Sequence, residues 1–409
     1  MKRRNIYYGW FVVAACFILM LAVGETFWSF GVFFKPLETD FGWSRTIVSS
    51  GYTTFLVGYS ISAMFSGRLA DRYNPRPILL ASAVIMGIGS YLCSQISDVT
   101  ILRISFFVVG LGFGTLWSIP NSSVQRWFYG RPKAGLALSI NLSGVGLGGL
   151  IYAPLLNYFI LEYNWRFAFI AFGIISVVST IVASLVIKPP PAVGEKSTVK
   201  AAAAQDRFPI RPAIHPVFIW LVIVSCTGGL AFQIVAVHLI PMATDAGISQ
   251  SVAAAALGLM GGFSVPGRLI PGFFAHRINW QRMLGIALAG MALSFLWLIF
   301  LQTAWMLYSF VFFFGVFQGI RAVSQVGAIG DFFGMRYLGQ LVGISSAAIN
   351  ATGAISPYIA GFIFDTTKSY TSAFIMAMAV LFIGAVIALT IKSPLAPTSP
   401  QPVKATSRT

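Results

Sequence analysis

The sequence GRLADRYNPR, residues 67–76, is a short basic stretch between two long apolar runs at 44–67 and 77–95. About 20 apolar residues suffice for a helix to cross a bilayer. Lys and Arg side chains near the ends of such runs reach the lipid headgroups, and a glycine such as Gly67 lets two helices approach closely. Asp71 can pair with a neighbouring cation. The stretch therefore predicts a helical hairpin that crosses a membrane twice.

The composition of the chain agrees with lipid as its main solvent. Of 409 residues, 57% are hydrophobic and 9% are charged, whereas ordinary soluble domains have about 25% charged residues. This excludes a soluble enzyme, a disordered chain and a secreted disulfide scaffold. The three cysteines lie inside apolar runs, so neither a disulfide framework nor a metal cluster is expected. The basic N-terminus precedes an apolar run without a small-residue cleavage site, which predicts a retained first span.

Apolar runs of spanning length occur twelve times along the chain. They lie at 7–33, 44–67, 77–95, 101–124, 134–160, 165–188, 216–240, 250–274, 283–301, 304–328, 338–363 and 370–391. The expected fold class is therefore an all-α integral membrane protein with twelve transmembrane helices. The one long polar connection and the polar C-terminus predict four parts: an N-terminal six-helix bundle (1–188), a cytoplasmic linker (189–213), a C-terminal six-helix bundle (214–392) and a disordered cytoplasmic tail (393–409).

The two halves repeat each other with a constant shift of 205 residues, the distance from Pro36 to Pro241. The correspondence holds at four places: 36–44 with 241–249, 67–72 with 272–277, Gly110 and Gly114 with Gly315 and Gly319, and 165–170 with 370–375. A register that holds across a whole half predicts a duplicated six-helix unit with both copies in parallel orientation. Parallel repeats recur in secondary transporters, where the substrate site lies near the bilayer midplane between the halves.

The charge balance predicts the orientation in the membrane. A formal net charge of +16, from 27 Lys and Arg against 11 Asp and Glu, would suggest a nucleic-acid partner on a soluble protein. Here most basic residues lie at the termini, in the linker and in connections on the same side, which the positive-inside rule assigns to the cytoplasm. The exceptions are Lys35, Arg45, Arg103, Arg166 and Lys368 on the other side, and Arg268 and Arg321 inside spans. We expect a multi-pass protein of a bacterial inner membrane with both termini in the cytoplasm and no nucleic-acid partner.

The stretch 67–76 resembles the signature loop of the major facilitator superfamily. Three further stretches, DFGWSR at 40–45 and the segments 127–146 and 360–374, resemble bacterial members of the monocarboxylate-transporter-like group, which includes the oxalate/formate antiporters. The resemblance covers nearly the whole chain outside the linker and tail. It implies the major facilitator fold, in which two six-helix bundles are related by a parallel pseudo-two-fold axis and transport proceeds by alternating access.

In that superfamily the signature loop acts as a cytoplasmic latch that breaks when the transporter changes face. A plain basic turn is the alternative interpretation. In the second half the copy of the loop begins at Gly272 and His276 replaces the acid, so only the N-terminal latch should be strong. The gating residues expected on this basis are Gly67, Asp71, Arg72, Arg76, Arg126 and Asp331.

Arg268 is the foremost candidate for substrate binding. It lies in the eighth predicted span, where a guanidinium is costly and normally faces a water-filled cavity or an ion partner. Its planar fork binds a carboxylate through two hydrogen bonds. The segment RLIPGFFA, residues 268–275, also resembles the one whose arginine binds the substrate carboxylate in monocarboxylate transporters. The alternative is a structural pair, or a side chain that reaches the cytoplasmic headgroups.

Further polar residues of the spans complete the predicted binding site. Arg321 shares one face of the tenth span with Gln318 and Gln325 and is a second cation for an anion; the alternative is a pair with Asp331 or a polar helix contact. A midspan amide more often makes a hydrogen bond between helices than a ligand contact. The remaining candidates for the cavity wall are Asn121, Asn141, Asn350, Gln233 and Trp28.

Two residues are candidates for proton coupling. Glu25 is the only acid within a predicted span, and His238 lies near the outer end of the seventh; an interfacial position is the alternative for each. In the animal monocarboxylate transporters an aspartate one turn before the arginine and a lysine in the first span serve the proton. The corresponding residues here are Ser264 and Trp28, so that coupling does not carry over.

These observations predict a secondary active transporter that moves small monocarboxylates, such as lactate or pyruvate, together with a proton. The alternatives within transport are an exchanger of mono- or dicarboxylates and an exporter of amphipathic compounds; a non-transporting membrane sensor is the alternative of another class. The sequence has no Walker loop, nucleophile elbow or metal-ligand spacing, so no enzyme, ATP-driven pump, cofactor or metal is expected. The expected partners are the anion, the proton and the lipid bilayer, and the chain is expected to be a monomer.

Overall fold

A computed structural model of the chain describes residues 7–72, 74–128, 131, 133–188, 213–274, 278–333 and 338–391. Within these ranges the protein consists of α-helices and contains no strand. The helices are α1 (Gly9–Phe41), α2 (Arg45–Arg72), α3 (Pro75–Ser94), α4 (Val99–Trp127), α5 (Ala134–Glu162), α6 (Trp165–Val186), α7 (Pro216–Asp245), α8 (Gln250–Phe274), α9 (Trp280–Ile299), α10 (Ala304–Phe333), α11 (Leu338–Thr367) and α12 (Thr371–Thr390). The linker 189–212 and the tail from residue 392 lie outside the described residues, so the predicted domain boundaries stay predictions.

Eleven of these twelve helices are long and apolar enough to cross a membrane, and the exception is α2. Many Ser, Thr and Gly residues lower the hydropathy of α2, but its 28 residues give roughly 42 Å of helix. Short connections join α2 to α1 and α3, both of which are candidate spans. Because the chain reverses direction at each connection, α2 also runs from one side of the membrane to the other.

The ends of α1 and α7 have the same construction. α1 continues through Pro36 and ends directly before Gly42, whose φ is 61°. α7 continues through Pro241 and ends shortly before Gly247, whose φ is 80°. A left-handed backbone suits glycine and terminates a helix. The prediction ended both spans earlier because it followed the apolar residues, whereas the polar last turns are still helical. The 205-residue repeat is therefore present in the backbone as well as in the sequence.

Two close helix crossings position the candidate site. Between the halves, a Cβ atom on Gly146 of α5 would lie 2.6 Å from the carbonyl oxygen of Gly261 on α8. Within the C-terminal half, a Cβ atom on Gly319 of α10 would lie 2.9 Å from the backbone nitrogen of Arg268 on α8. Glycines therefore let α5, α8 and α10 touch backbone to backbone, and this brings Arg268 and Arg321 to the same crossing.

The helix connections define two ends of the bundle. The connections α1–α2, α3–α4, α5–α6, α7–α8, α9–α10 and α11–α12 lie at what we name the Gly42 end. The helix ends on either side of the remaining connections lie at the opposite end, which we name the Arg76 end after the residue at the start of α3. The predicted topology assigns the Gly42 end to the outside and the Arg76 end to the cytoplasm.

Candidate functional site

Arg268 projects from α8 toward the N-terminal half. Its Nη1 donates a hydrogen bond to the carbonyl oxygen of Leu142 on α5, and its Nε is buried without a hydrogen-bond partner. The glycine crossing of α5 and α8 lies one turn from Leu142, which explains how the guanidinium spans the boundary between the halves. Arg268 is therefore a contact between the halves that keeps one N–H donor free of any protein acceptor.

Arg321 is buried on α10, with 6% of its surface exposed. Its Nε donates to Oε1 of Gln318 at 2.8 Å, and its Nη1 donates to Oε1 of Gln325 at 3.4 Å. Gln325 in turn donates from Nε2 to the hydroxyl of Ser345 on α11 at 3.0 Å. Asp331, the alternative partner, is exposed in the last turn of α10. Neutral oxygens thus hold the guanidinium of Arg321 in place.

The two arginines share an uncompensated positive charge. Their guanidinium groups act on each other electrostatically. Among the residues that the structure describes, no ion pair joins either of them to a carboxylate. Two like charges taken out of water cost several kcal/mol unless an opposite charge compensates them. A bound anion would supply that charge and would accept from the unpartnered Nε of Arg268.

Glu25 is completely buried on α1 and lies inside the N-terminal bundle. Its Oε2 accepts a hydrogen bond from the hydroxyl of Ser176 on α6 at 2.8 Å, and its Oε1 has no hydrogen-bond partner. The carboxyl group therefore faces α6 in the interior of the N-terminal bundle. The structure does not bring it together with Arg268 or Arg321.

The predicted amides divide between the bundle interiors and the boundary of the halves. Asn141 of α5 donates to Asn121 of α4 at 2.9 Å, so this pair joins two helices of one half. Gln233 of α7 accepts from the hydroxyl of Tyr52 on α2 at 2.9 Å, which joins the two halves. Asn350 is partly buried on α11.

Trp28 lies where α1 meets both α5 and the C-terminal half. Its ring packs against Gly149 and makes an edge contact with Phe232 of α7, at 5.0 Å between the ring centroids. Only 2% of the residue is exposed, and its Nε1 is buried without a hydrogen-bond partner. Trp28 and Arg268 thus present two unpartnered N–H donors along the same boundary.

A network of charged side chains closes the two halves together at the Gly42 end; we call it the clasp. Its members are Lys35, Glu38 and Arg45 from the N-terminal half and Asp245, Asp365 and Tyr370 from the C-terminal half. Arg45 is at its centre: its Nε binds Glu38 at 2.8 Å and its Nη2 binds Asp245 at 2.6 Å. Lys35 reaches Asp245 at 2.9 Å.

The remaining clasp contacts fix the start of α2. Asp365 accepts from the backbone N–H groups of Arg45 at 3.0 Å and Thr46 at 2.9 Å. The guanidinium of Arg45 also lies 3.7 Å above the ring of Phe364. His238 is completely buried beneath this network and bonds to Tyr370. The Gly42 end is therefore closed by ion pairs, hydrogen bonds and a cation–π contact together.

A sequence profile described as Major Facilitator Superfamily matches residues 16–301 and 272–408. The chain belongs to the Major Facilitator Superfamily. This confirms the predicted family and the predicted fold of two six-helix bundles, and it identifies a multi-pass membrane transporter that is not an enzyme.

Curated relatives of this superfamily protein include several named monocarboxylate transporters. Monocarboxylate transporter 12 of Rattus norvegicus is 24% identical over 403 residues, which cover 90% of this chain and 82% of the relative. Monocarboxylate transporter 13 of Bos taurus is 23% identical, with 94% and 89% covered. A bacterial relative, the uncharacterized MFS-type transporter YcxA of Bacillus subtilis (strain 168), is 23% identical, with 92% of each chain covered.

Solved structures show the same fold. A bacterial homologue of the human lysosomal transporter Spinster, in an inward-facing and occupied conformation, superposes with a TM-score of 0.76 at 14% identity and covers 94% of this chain and 97% of its own. The same type of protein in an inward-facing and unoccupied conformation gives a TM-score of 0.72 at 15% identity, with 94% and 96% covered.

The predicted latch of this superfamily member is described only in part. Gly67, Asp71 and Arg72 lie near the end of α2, and their side chains are outside the described residues. Arg76 donates to the carbonyl oxygens of Leu185 at 2.6 Å and Ile187 at 3.1 Å, so it caps the end of α6. Arg126 and Asp331 are exposed in the last turns of α4 and α10.

Sequence reasoning missed the clasp. The available signal was a mixture of opposite charges on the predicted outer side, with Lys35 and Arg45 as two of the few basic residues there. The repeat also places Tyr370 at the position equivalent to Trp165. The sequence contained no sign that Arg45 crosses to the other half, because that contact depends on how the halves pack.

Proposed function

We propose that the chain is a secondary active transporter that moves small organic monocarboxylates of the lactate and pyruvate kind, with a proton, by alternating access. The observation that supports this most is the pair Arg268 and Arg321, two guanidinium groups in the spans without a described carboxylate partner. The names of the curated relatives agree with an organic anion as cargo.

In this proposal Arg268 binds the carboxylate and Arg321 assists. The bond of Arg268 to Leu142 is replaced by the substrate, so anion binding also releases one contact between the halves. Nε of Arg268 and Nε1 of Trp28 have no protein acceptor, so the anion satisfies donors that the protein leaves unpaired. Binding and release of the cargo would therefore be linked to the movement of the halves.

Glu25 is the proposed carrier of the coupled proton. Its Oε1 has no hydrogen-bond partner, so a proton there does not displace an existing contact. A proton and a monoanion together cross electroneutrally, whereas one uncompensated charge costs about 2.3 kcal/mol per 100 mV. Because Glu25 lies inside the N-terminal bundle, the coupling would act through the packing of α1 and α6 rather than by contact with the cargo.

The charge of the site favours a second candidate function, exchange of carboxylates that include dicarboxylates. Two guanidinium groups at one helix crossing match two carboxylate groups in number and charge. Counterflow separates the two functions: an exchanger accelerates uptake when the vesicles are preloaded with a dicarboxylate, and it needs no pH gradient. A proton symporter of monocarboxylates needs the pH gradient, and preloading with a dicarboxylate does not accelerate its uptake.

The proposed setting is a bacterial inner membrane with both termini in the cytoplasm. The clasp would then close the outer face, and the described conformation would open toward the cytoplasm. The gating residues Gly67, Asp71, Arg72, Arg76, Arg126 and Asp331 would form contacts when that face closes. Labelling of single cysteines at exposed positions of each end, such as Thr39 and Lys133, from outside intact cells tests this orientation.

The central experiment is uptake of labelled lactate or pyruvate into proteoliposomes under an imposed pH gradient. We expect the Arg268→Ala variant to lose roughly 30-fold or more in uptake, since removal of one partner of a buried charge pair costs about 2 kcal/mol or more. The matched control is Arg103→Ala, which removes an arginine of α4 that bonds to Ser50 at 3.0 Å. Equal uptake by the Arg268→Ala variant and the control would contradict the assigned site.

A further inference from the structure

His238 of α7 is held by three polar contacts beneath the clasp. Its Nδ1 lies 2.9 Å from the hydroxyl of Tyr370, and its Nε2 lies 2.9 Å from the carbonyl oxygen of Pro357 on α11. The hydroxyl of Ser49 on α2 is 3.3 Å from the same Nε2. No part of the residue is exposed. His238 is therefore in contact with both halves of the protein.

The chemistry of these partners fixes where the ring proton is. A carbonyl oxygen only accepts, so Nε2 carries the hydrogen and donates it to Pro357. Nη1 of Arg45 only donates, and it does so to the hydroxyl oxygen of Tyr370 at 2.9 Å. The hydroxyl hydrogen of Tyr370 is then free to point at Nδ1. The closed clasp thus contains a directional chain, from Arg45 through Tyr370 and His238 to Pro357, with a neutral ring.

A second proton on His238 would conflict with this chain. It would occupy Nδ1, so His238 and Arg45 would both donate to the hydroxyl of Tyr370, which would have to turn its own hydrogen away. The ring would also become a cation close to the guanidinium of Arg45.

The other groups around the ring do not compensate this charge. Asp365 of α11 attracts the protonated ring, but its two oxygens already accept from the backbone of Arg45 and Thr46. Glu38 of α1 and Asp245 of α7 are bound to Arg45 and to the cation Lys35 of α1, and Phe34 of α1 places its ring against the imidazole.

We propose that His238 is a proton-binding site that unlocks the clasp, so that acidification shifts the protein toward the state that is open at the Gly42 end. This rests on the alternating-access part of the proposed function and not on the cargo. Because the closed clasp disfavours the second proton, closure releases it again on the side from which it came. His238 therefore regulates access to the site, and it does not carry the coupled proton across the membrane.

The test measures the distance between the halves at the Gly42 end without any substrate. Spin labels are placed at Thr39→Cys and Thr366→Cys, two exposed positions outside the clasp, in a Cys226→Ser background; Cys16 and Cys93 are completely buried. The distances between the two spin labels are measured by double electron–electron resonance in liposomes at pH 7.5 and pH 5.5. We expect the long-distance population to grow severalfold at the lower pH.

The decisive variant is His238→Gln. The amide can still donate to Pro357 and accept from Tyr370, but it cannot gain a proton, so the distances should be independent of pH. A second variant, Tyr370→Phe, removes the central hydroxyl of the chain and should raise the long-distance population already at pH 7.5. His215→Gln is the matched control, the same substitution at a histidine that directly precedes α7 at the Arg76 end, and it should keep the full pH response.

A pH response that persists in His238→Gln, or one that disappears in His215→Gln, would overturn the proposal. A wild-type protein without any pH-dependent distance change would overturn it as well. The outcome is independent of the cargo, because no substrate is present in the measurement. Failure of lactate uptake together with an intact distance response would therefore contradict the proposed cargo and leave the proton-binding site standing.

Discussion

The end of α1 and the end of α7 have the same construction, and we call each of them a corner. The two corners contact different partners. In the N-terminal half, Asp40 accepts a hydrogen bond from Nε1 of Trp165 at 2.6 Å, so this corner contacts its own half. In the C-terminal half, the equivalent Asp245 binds Lys35 and Arg45 of the other half. One copy therefore stabilises its own bundle, and the other joins the two bundles.

The difference continues toward the membrane interior. Phe33 stacks on Phe169 with ring centroids 3.9 Å apart, whereas His238, 205 residues after Phe33, is hydrogen-bonded on both ring nitrogens. Arg321 has Leu116 as its equivalent in the first half. The two halves therefore share one scaffold, and at these two positions the second half has a polar or charged residue where the first has an apolar one.

The largest expected effect comes from replacing Arg321 by the residue that the first half has at the equivalent position. Arg321→Leu introduces the residue of the equivalent position, and we expect uptake of carboxylates to fall roughly 30-fold, equivalent to about 2 kcal/mol. The thermal midpoint should stay the same or rise, because a hydrophobic residue in place of a buried charge is often neutral or stabilising. Full uptake with Leu at this position would show that the asymmetry has no role in transport.

The next prediction concerns the two corners, which we expect to respond unequally to the loss of an arginine. Arg45→Ala removes the centre of the clasp, and we expect the equilibrium between closed and open Gly42 ends to shift by about 2 kcal/mol toward open. Arg166→Ala acts on the other corner, where Arg166 and Asp40 are 3.9 Å apart and about half exposed, and the shift should stay within about 0.5 kcal/mol. Distance measurements between labelled halves compare the variants, and equal shifts would refute the division of roles.

The smallest expected effect concerns the start of α4. Hydrogen bonds from the backbone N–H groups of Ile101 and Thr100 hold the pKa of Asp98 below its usual range. The carboxylate is therefore stabilising at neutral pH, and this contribution is lost as the pH falls through the lowered pKa. We expect Asp98→Asn to melt slightly below the wild type at pH 7, with the difference shrinking as the pH falls below the ordinary range of a carboxyl pKa. The equivalent residue of the second half, Thr303, has no charge to titrate, so Thr303→Asn should show no such pH dependence.

Much of the fold could be predicted because it depends on local patterns in the sequence. Apolar run lengths predicted the helices, and the 205-residue register predicted the duplication that Gly42 and Gly247 repeat in the backbone. Arg268 and Arg321 stood out because a charge in a span is costly wherever it points.

The rest depended on how helices rotate and pack. The direction of Glu25 toward Ser176 is a matter of which face of α1 meets α6, and apolar residues surround all faces of α1 in the sequence. The clasp joins residues up to 325 positions apart, as for Arg45 and Tyr370, and no local pattern encodes such a pairing.

The glycine crossing of α5 and α8 has a mechanical consequence. At about 1.5 Å per residue, roughly 24 Å of α5 lies between Gly146 and Glu162, and roughly 18 Å lies between Gly146 and Ala134. In the proposed alternating-access cycle this contact would act as a pivot near the middle of α5, because backbone rather than interlocking side chains meets there. Tilting one bundle by roughly 10° about it would move the two ends by roughly 3–4 Å in opposite senses, so that opening one face closes the other.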